Sequence, residues 1–268
     1  YSINLRNIKH IILTSLVFLL PSSIILLQGD TGTALVYFSF FLVFLREGLS
    51  LNFLIFSIAF VLIFVFGLLV DTYILYIIIT VVFLVYVGLS IKDIRKVINS
   101  FILFVLSILI INGQGFVLNN ILTPKQKQRV ETLINPSSDP LGSGWNITQS
   151  KIAIGSGGVF GKGFLKGTQT GLNFVPIQST DFIFSVIGEE FGYLGSMIFI
   201  ILYVIFLYRI LILSEAQKDR FARVFGYSVF SIFLFHFTIN VSMTLGLFPV
   251  IGIPLSLISY GGSSLLSF

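Results

Sequence analysis

The sequence predicts an all-α, polytopic membrane protein, and three observations predict it. Of 268 residues, 56% are hydrophobic and only 10% are charged, against about 25% charged in a soluble domain. The apolar residues gather in runs near the roughly 20 that a helix needs to cross a hydrocarbon core about 30 Å thick. Short polar turns separate these runs, and only one long polar stretch, residues 120–180, interrupts them. The absence of cysteine removes disulfides, thiolate metal sites and cysteine nucleophiles. The chain starts at Tyr1 and ends at Phe268 within an apolar run. It is therefore expected to be a piece of a longer protein, in which the lack of a signal sequence excludes nothing.

About eight spans are expected. The first covers Ile11 to Gln28, after Arg6, Lys9 and His10, and the turn Gly29-Asp30-Thr31-Gly32 leads into a second that ends near Leu45. A third runs from about Ser50 to Val70, and Asp71-Thr72 turns it into a fourth ending near Ser90. The charged loop Lys92, Asp93, Arg95, Lys96 precedes a fifth, Phe101 to Leu118. After the polar stretch, a sixth begins near Asp181 or Phe182 and ends at Tyr208-Arg209, and a seventh covers Val224 to Leu247. The eighth starts at Gly252 and is broken by Pro254 and Gly261-Gly262, an interruption tolerated where backbone lines a cavity or packs on protein. The chain thus divides into residues 1–119 (spans one to five), the 120–180 loop with short helices, and 181–268 (spans six to eight).

Lysine and arginine set the orientation. A cytoplasmic N-terminus puts Arg6, Lys9, Arg46, Lys92, Arg95, Lys96, Arg209, Lys218, Arg220 and Arg223 on one side, while the short loops opposite, around Asp30, Asp71 and Phe248, carry none. The other basic residues lie in the long loop, which the rule counts weakly. Loop 120–180 is therefore expected to be extracytoplasmic. ATP and nucleotide sugars are then out of reach, and any substrate there must already have crossed the bilayer, most simply on a lipid.

Residues 155–167 are rich in glycine but do not have the spacing of a dinucleotide fingerprint or a P-loop. Two uses stay open: close packing of a loop against the spans, or an anion-binding nest of backbone N–H groups helped by Lys162 and Lys166. Asp181 precedes an apolar helix and is open to two roles, an N-cap or a general base at the mouth of a cavity. Glu189 and Glu190 lie about two turns further, roughly 12–13 Å away at 1.5 Å per residue. That separation is too large for an acid/base pair with Asp181. Acids at such depth face a cavity or a partner, so they are expected to pair with lysine or arginine, or to bind a cation or the substrate. Asp30 is expected to cap the second span. His236 and Asn240 share a helix face, and the lone histidine reads as a buried hydrogen-bonding residue, so no zinc site is expected.

Longer motifs carry a resemblance. These are the run from Asp139 through Gly142 to Trp145, Gln149-Ser150-Lys151, Gly155-Ser156-Gly157-Gly158, Gly161-Lys162-Gly163 and Gly167-Thr168-Gln169. Thr180-Asp181-Phe182, Glu189-Glu190-Phe191-Gly192, Pro249 to Leu255, and Ser259-Tyr260-Gly261-Gly262 complete the set. Over residues 1–49 and about 113–268 the chain resembles the SEDS family (shape, elongation, division and sporulation), its elongation branch more than its division branch. The resemblance implies about ten spans, in the bacterial cytoplasmic membrane. It also implies a peptidoglycan glycosyltransferase that polymerises lipid II for cell elongation and shape, beside a class B penicillin-binding protein and elongation-complex membrane proteins, with no nucleic acid.

The aspartate matching Asp181 would be catalytic, taking the proton of the acceptor 4-hydroxyl. Lys151, Lys162 and Arg129 would hold the pyrophosphate, with Gln169, Glu189 and Glu190 as further substrate-binding candidates. No metal ligand and no certain cofactor is implied, though the pyrophosphate is compatible with a divalent cation. Residues about 50–112 read as two spans beyond the family's usual number. Pro176-Ile177, Lys125-Gln126 and Gly29-Asp30 depart from its pattern. A flippase for the same lipid precursor is the rival from another class, since broken spans and intramembrane acids also mark transporters. A scaffold with a decayed site is the third.

Overall fold

The computed structural model of the chain describes residues 8–49, 63, 70–90, 93–116, 123–139, 142–172 and 174–261. Its secondary structure is helical: α1 (Ile8–Leu27), α2 (Thr31–Val36), a 3-10 turn (Tyr37–Phe40), α3 (Phe41–Arg46), α4 (Thr72–Ser90) and α5 (Ile94–Phe116). There follow α6 (Pro124–Ile134), α7 (Ser143–Ser156), α8 (Thr168–Gly171), α9 (Ile183–Glu215) and α10 (Arg220–Thr244). The protein is an all-α polytopic membrane protein. Four described helices, α4, α5, α9 and α10, are long and apolar enough to cross a membrane, and Ile12–Leu27 and Thr31–Arg46 are shorter apolar helices. The expected third span and the end of the eighth fall mostly outside the described residues.

The chain forms two compact units, Tyr1–Leu49 with Gln128–Phe268, and Ser50–Lys127. In the second unit α4 and α5 pair as a hairpin, with Phe83 stacked on Phe104 at 4.6 Å between ring centres. The Tyr76 hydroxyl there donates to Asn112 Oδ1 at 2.9 Å.

The first unit is built on α9 and α10, which pack along their length around Tyr203, Leu207, Phe233 and Leu255. The ring of Tyr203 stacks on Phe237 at 4.4 Å. Asp30 caps α2 as expected, accepting from the Thr33 N–H at 3.0 Å and the Thr33 hydroxyl at 2.6 Å. Those bonds hold its carboxyl below the usual aspartate value. Ahead of α7, whose N-cap is Gly142, the Asp139 carboxylate accepts the Ser143 N–H at 2.7 Å. Away from these caps, Arg46 pairs with Glu215 at 2.5 Å and Arg220 with Glu47 at 2.7 Å, which ties α3 to α9 and α10.

Two features depart from the expected spans. The sixth does not stop at Arg209: α9 continues to Glu215, 33 residues in all, or about 50 Å at 1.5 Å per residue. It bends at Gly192, whose backbone (φ 66°, ψ −162°) is not helical. In the segment expected to open the eighth span, residues 249–255 are irregular rather than helical, with Gly252 at φ +75°. That strip is buried through Ile251, Ile253 and Leu255. Non-helical backbone at this depth is stable because it lies against protein, where its polar groups find partners.

Candidate active site

The glycine-rich loop owes its form to the bend at Gly192. Breaking the helix there frees four backbone groups of α9, and the loop takes all of them. Lys162 and Gly163 donate to the carbonyls of Glu189 and Glu190 at 3.0 and 2.9 Å, while Tyr193 and Leu194 donate to Gly158 and Val159 at 2.9 and 3.1 Å. The two backbones approach so closely that a side chain at Gly161 would collide with the Glu190 carbonyl, and one at Gly192 with the Gly161 nitrogen. The glycines therefore serve packing. An anion nest is excluded at Gly161, Lys162 and Gly163, whose N–H groups all donate within the protein.

Glu189 secures the same loop from within. Its side chain is fully buried. Its Oε1 accepts from Lys162 Nζ at 2.7 Å and from the N–H groups of Thr168 and Gln169 at 2.8 and 2.9 Å. Its Oε2 accepts from the N–H and hydroxyl of Thr170 at 2.9 and 2.8 Å. The expected pairing with lysine is present. Both oxygens of Glu189 are bonded within the protein and its side chain is fully buried. Lys162 is committed likewise, to Glu189 and to the Thr168 hydroxyl at 2.7 Å. Gln169 offers only its N–H to this cluster. Glu190 is buried beside it, with no ion-pair partner among the described residues.

Asp181 is held differently. It is not the N-cap of α9: Phe182 occupies that position and makes no side-chain cap. Phe182 is buried against Ala153 and Val175, which leaves the preceding residue at the rim. Three successive carbonyls are captured. Tyr260 N–H donates to Ser179 at 2.8 Å, the Ser259 hydroxyl to Thr180 at 2.6 Å, and Asn240 Nδ2 to Asp181 at 2.8 Å. The carboxylate itself is half-buried and lies over Gly252 (φ +75°), where a side chain would come within 3.6 Å of Oδ2. Burial pushes the Asp181 carboxyl above the ordinary aspartate value, against the opposing effect of the Thr180 hydroxyl.

Gly252 also lines a cavity of about 410 Å³, walled by apolar groups including Val17, Phe18, Phe40, Ile253 and Pro254, with Thr33, Tyr37 and His236. His236 shares a hydrogen bond of 3.0 Å with the Pro254 carbonyl. Arg129, on α6, reaches the start of α2 beside Asp30. Its Nη1 donates to the Thr31 hydroxyl at 2.9 Å, and the neighbouring Gly32 packs against the Ile251 carbonyl. Lys151 lies apart, exposed on α7, its Nζ against Gly246. The structure thus places Arg129 beside Thr31 and Asp30 and gathers Lys162, Gln169 and Glu189 into the loop cluster. Sequence reasoning missed Ser259 as a contact of this turn, and it placed Asn240 on a face without a partner. Among the described residues no three His, Asp or Glu side chains cluster to hold a metal.

Residues 52–268 match the family described as cell cycle proteins FtsW, RodA and SpoVE. The match takes in residues 52–112, the spans read above as additional. The chain is 38% identical to peptidoglycan glycosyltransferase RodA of Treponema pallidum, over 99% of this chain and 66% of the relative. It is 48% identical to peptidoglycan glycosyltransferase MrdB of Escherichia coli K12, over 53% of this chain and 38% of the relative. A solved structure concerning the coordination of polymerization and crosslinking by a peptidoglycan synthase complex superposes with a TM-score of 0.66. It is 26% identical, covering 100% of this chain and 60% of that one. The chain therefore spans between 38% and 66% of the length of these relatives. With motifs, helices and match in agreement, the chain belongs to the FtsW, RodA and SpoVE family, the SEDS proteins.

Proposed function

We propose that the complete protein is a peptidoglycan glycosyltransferase that polymerises lipid II at the outer face of the bacterial cytoplasmic membrane, with Asp181 as its general base. The observation that carries this is the Asp181 carboxylate. It is half-buried, it does not cap α9, and it stands over Gly252 in the wall of an apolar cavity. A lipid-linked sugar needs these two surroundings side by side, an apolar wall for its lipid and a base for its sugar. The acceptor 4-hydroxyl attacks the anomeric carbon of the donor while its proton passes to Asp181. The bond from that carbon to the pyrophosphate oxygen breaks, and undecaprenyl pyrophosphate leaves. A base with a raised pKa accepts the proton more strongly at neutral pH than an ordinary aspartate does.

Arg129, bonded to Thr31 at the start of α2, and Lys151, without an ion-pair partner among the described residues, are the proposed cations for the pyrophosphate. Gln169 and Glu190 keep side chains that the loop cluster does not use. Lys162 and Glu189 act by holding the loop. A class B penicillin-binding protein is the proposed partner, supported by the likeness to a synthase complex.

Purified lipid II supplied to the complete protein tests this reading. Asp181→Asn should lower polymerisation by at least about 100-fold, the lower bound for removing a general base, with membrane insertion unchanged. Full activity of that variant would overturn the assignment of Asp181. Passage of lipid II across liposomes without glycan formation would replace the glycosyltransferase by a flippase.

A further inference from the structure

Residues 179–181 precede α9 and lack helical partners for their carbonyls, so something else must satisfy them. Two side chains do so at the two residues closest to the carboxylate. Asn240 is fully buried and divides its amide between the Asp181 carbonyl and the Ile253 carbonyl, each at 2.8 Å. Ser259 donates to the Thr180 carbonyl at 2.6 Å and accepts the Leu255 N–H at 2.8 Å. Each joins the Asp181 turn to the non-helical strip that carries Gly252, the residue beneath the carboxylate. Neither side chain touches the carboxylate itself. The Asn240 Oδ1 has no partner, so the amide is placed for its two donor bonds alone.

Resting on the reading of Asp181 as the base, we propose that Asn240 and Ser259 are positioning residues. By fixing the carbonyls of Asp181 and Thr180 to the Ile253–Ser259 strip, they hold the carboxylate at one distance and direction from the reacting hydroxyl. A base displaced by about 1 Å loses on the order of 100-fold in rate with little change in binding. Positioning therefore shows itself in kcat rather than KM.

The test compares Ser259→Ala, Ser259→Thr and Asn240→Asp in the complete protein. The variants are reconstituted in proteoliposomes, supplied with purified lipid II, and measured with and without the cognate transpeptidase. Asn240→Asp keeps the shape but turns a carboxylate oxygen towards two carbonyls. It removes both bonds, and Ser259→Ala is the milder change should that variant not insert. Ser259→Ala should lower kcat by about 10- to 100-fold, with KM for lipid II within about threefold and the melting temperature close to that of the parent. Ser259→Thr restores the hydroxyl and should recover most of kcat. Parental kcat in Ser259→Ala, a loss confined to KM, or failure of Ser259→Thr to recover activity would each overturn the proposal. If Asp181→Asn is inactive while Ser259→Ala is fully active, only this inference falls. If Asp181→Asn is itself fully active, the reading of Asp181 falls with it.

Discussion

Asp181 and Glu189 flank the first two turns of α9, and the protein treats the two acids in opposite ways. Every oxygen of Glu189 is bonded: Lys162 and the Thr168–Thr170 turn close around it, and water does not reach it. At Asp181 the backbone is bonded by Asn240, while the carboxylate meets the Thr180 hydroxyl and keeps acceptor capacity to spare. A saturated acid resists change and holds a loop. An acid with spare capacity, at the edge of a cavity, is able to exchange a proton. Within one helical approach, the partners rather than the residue type separate the structural acid from the proposed base.

The largest effect expected from this contrast is at Glu189. Glu189→Ala leaves Lys162 and three backbone N–H groups without their acceptor, and breaking a buried pair in this way costs about 3–5 kcal/mol. Thermal unfolding of the purified protein should show it, with the loop around Lys162 becoming open to protease. Asp181→Asn should stay within about 0.5 kcal/mol of the parent while activity collapses. Equal destabilisation by the two changes would break the contrast.

Next comes Gly192→Ala, which places a side chain at φ 66° and against the Gly161 nitrogen. Backbone strain alone costs about 1–3 kcal/mol, and the same melt should register it together with loosening of the loop. A pH series sharpens the other side of the comparison. Burial raises the Asp181 pKa, and the base works only when deprotonated. Activity should therefore be lost, as pH falls, above the ordinary aspartate value of about 3.9. An acid limb at or below that value would put the carboxylate in open water. The smallest effect belongs to the exposed pair Arg46–Glu215: Arg46→Ala should cost about 0–1 kcal/mol, less in high salt.

Much of this arrangement could be read in the sequence, for physical reasons. Hydropathy marks α4, α5, α9 and α10, because a membrane helix must be apolar along its length. The Asp30 cap was legible because capping is local, spanning three residues. The glycines after Gly155 left packing against the spans and an anion nest both open, and did not mark the contact point. Their partner is the bent backbone at Gly192, which lies within an apolar run that reads as uninterrupted helix. The same blindness extended α9 only to Arg209, since charge at that position suggested an end that Glu215 supplies. Asn240 and Ser259 were illegible as contacts of Asp181. Their hydrogen bonds join residues 59 and 79 positions apart, and no periodicity encodes such a pairing. Glu189 was expected to pair with lysine, as it does with Lys162, but its saturation depends on a loop about twenty residues earlier.

The exchange of hydrogen bonds at the Gly192 bend has a further consequence, for chain length. Residues 158–163 and 189–194 are matched one for one by four backbone bonds, so adding or removing a single residue in either segment moves every later partner out of register. Between Gly163 and Gly167 no such matching applies, and Phe164, Leu165 and Lys166 stand exposed. Related chains should keep the number of residues in the two matched segments and vary it at that tip. The same tip is where an inserted tag or epitope leaves the rest of the loop in place.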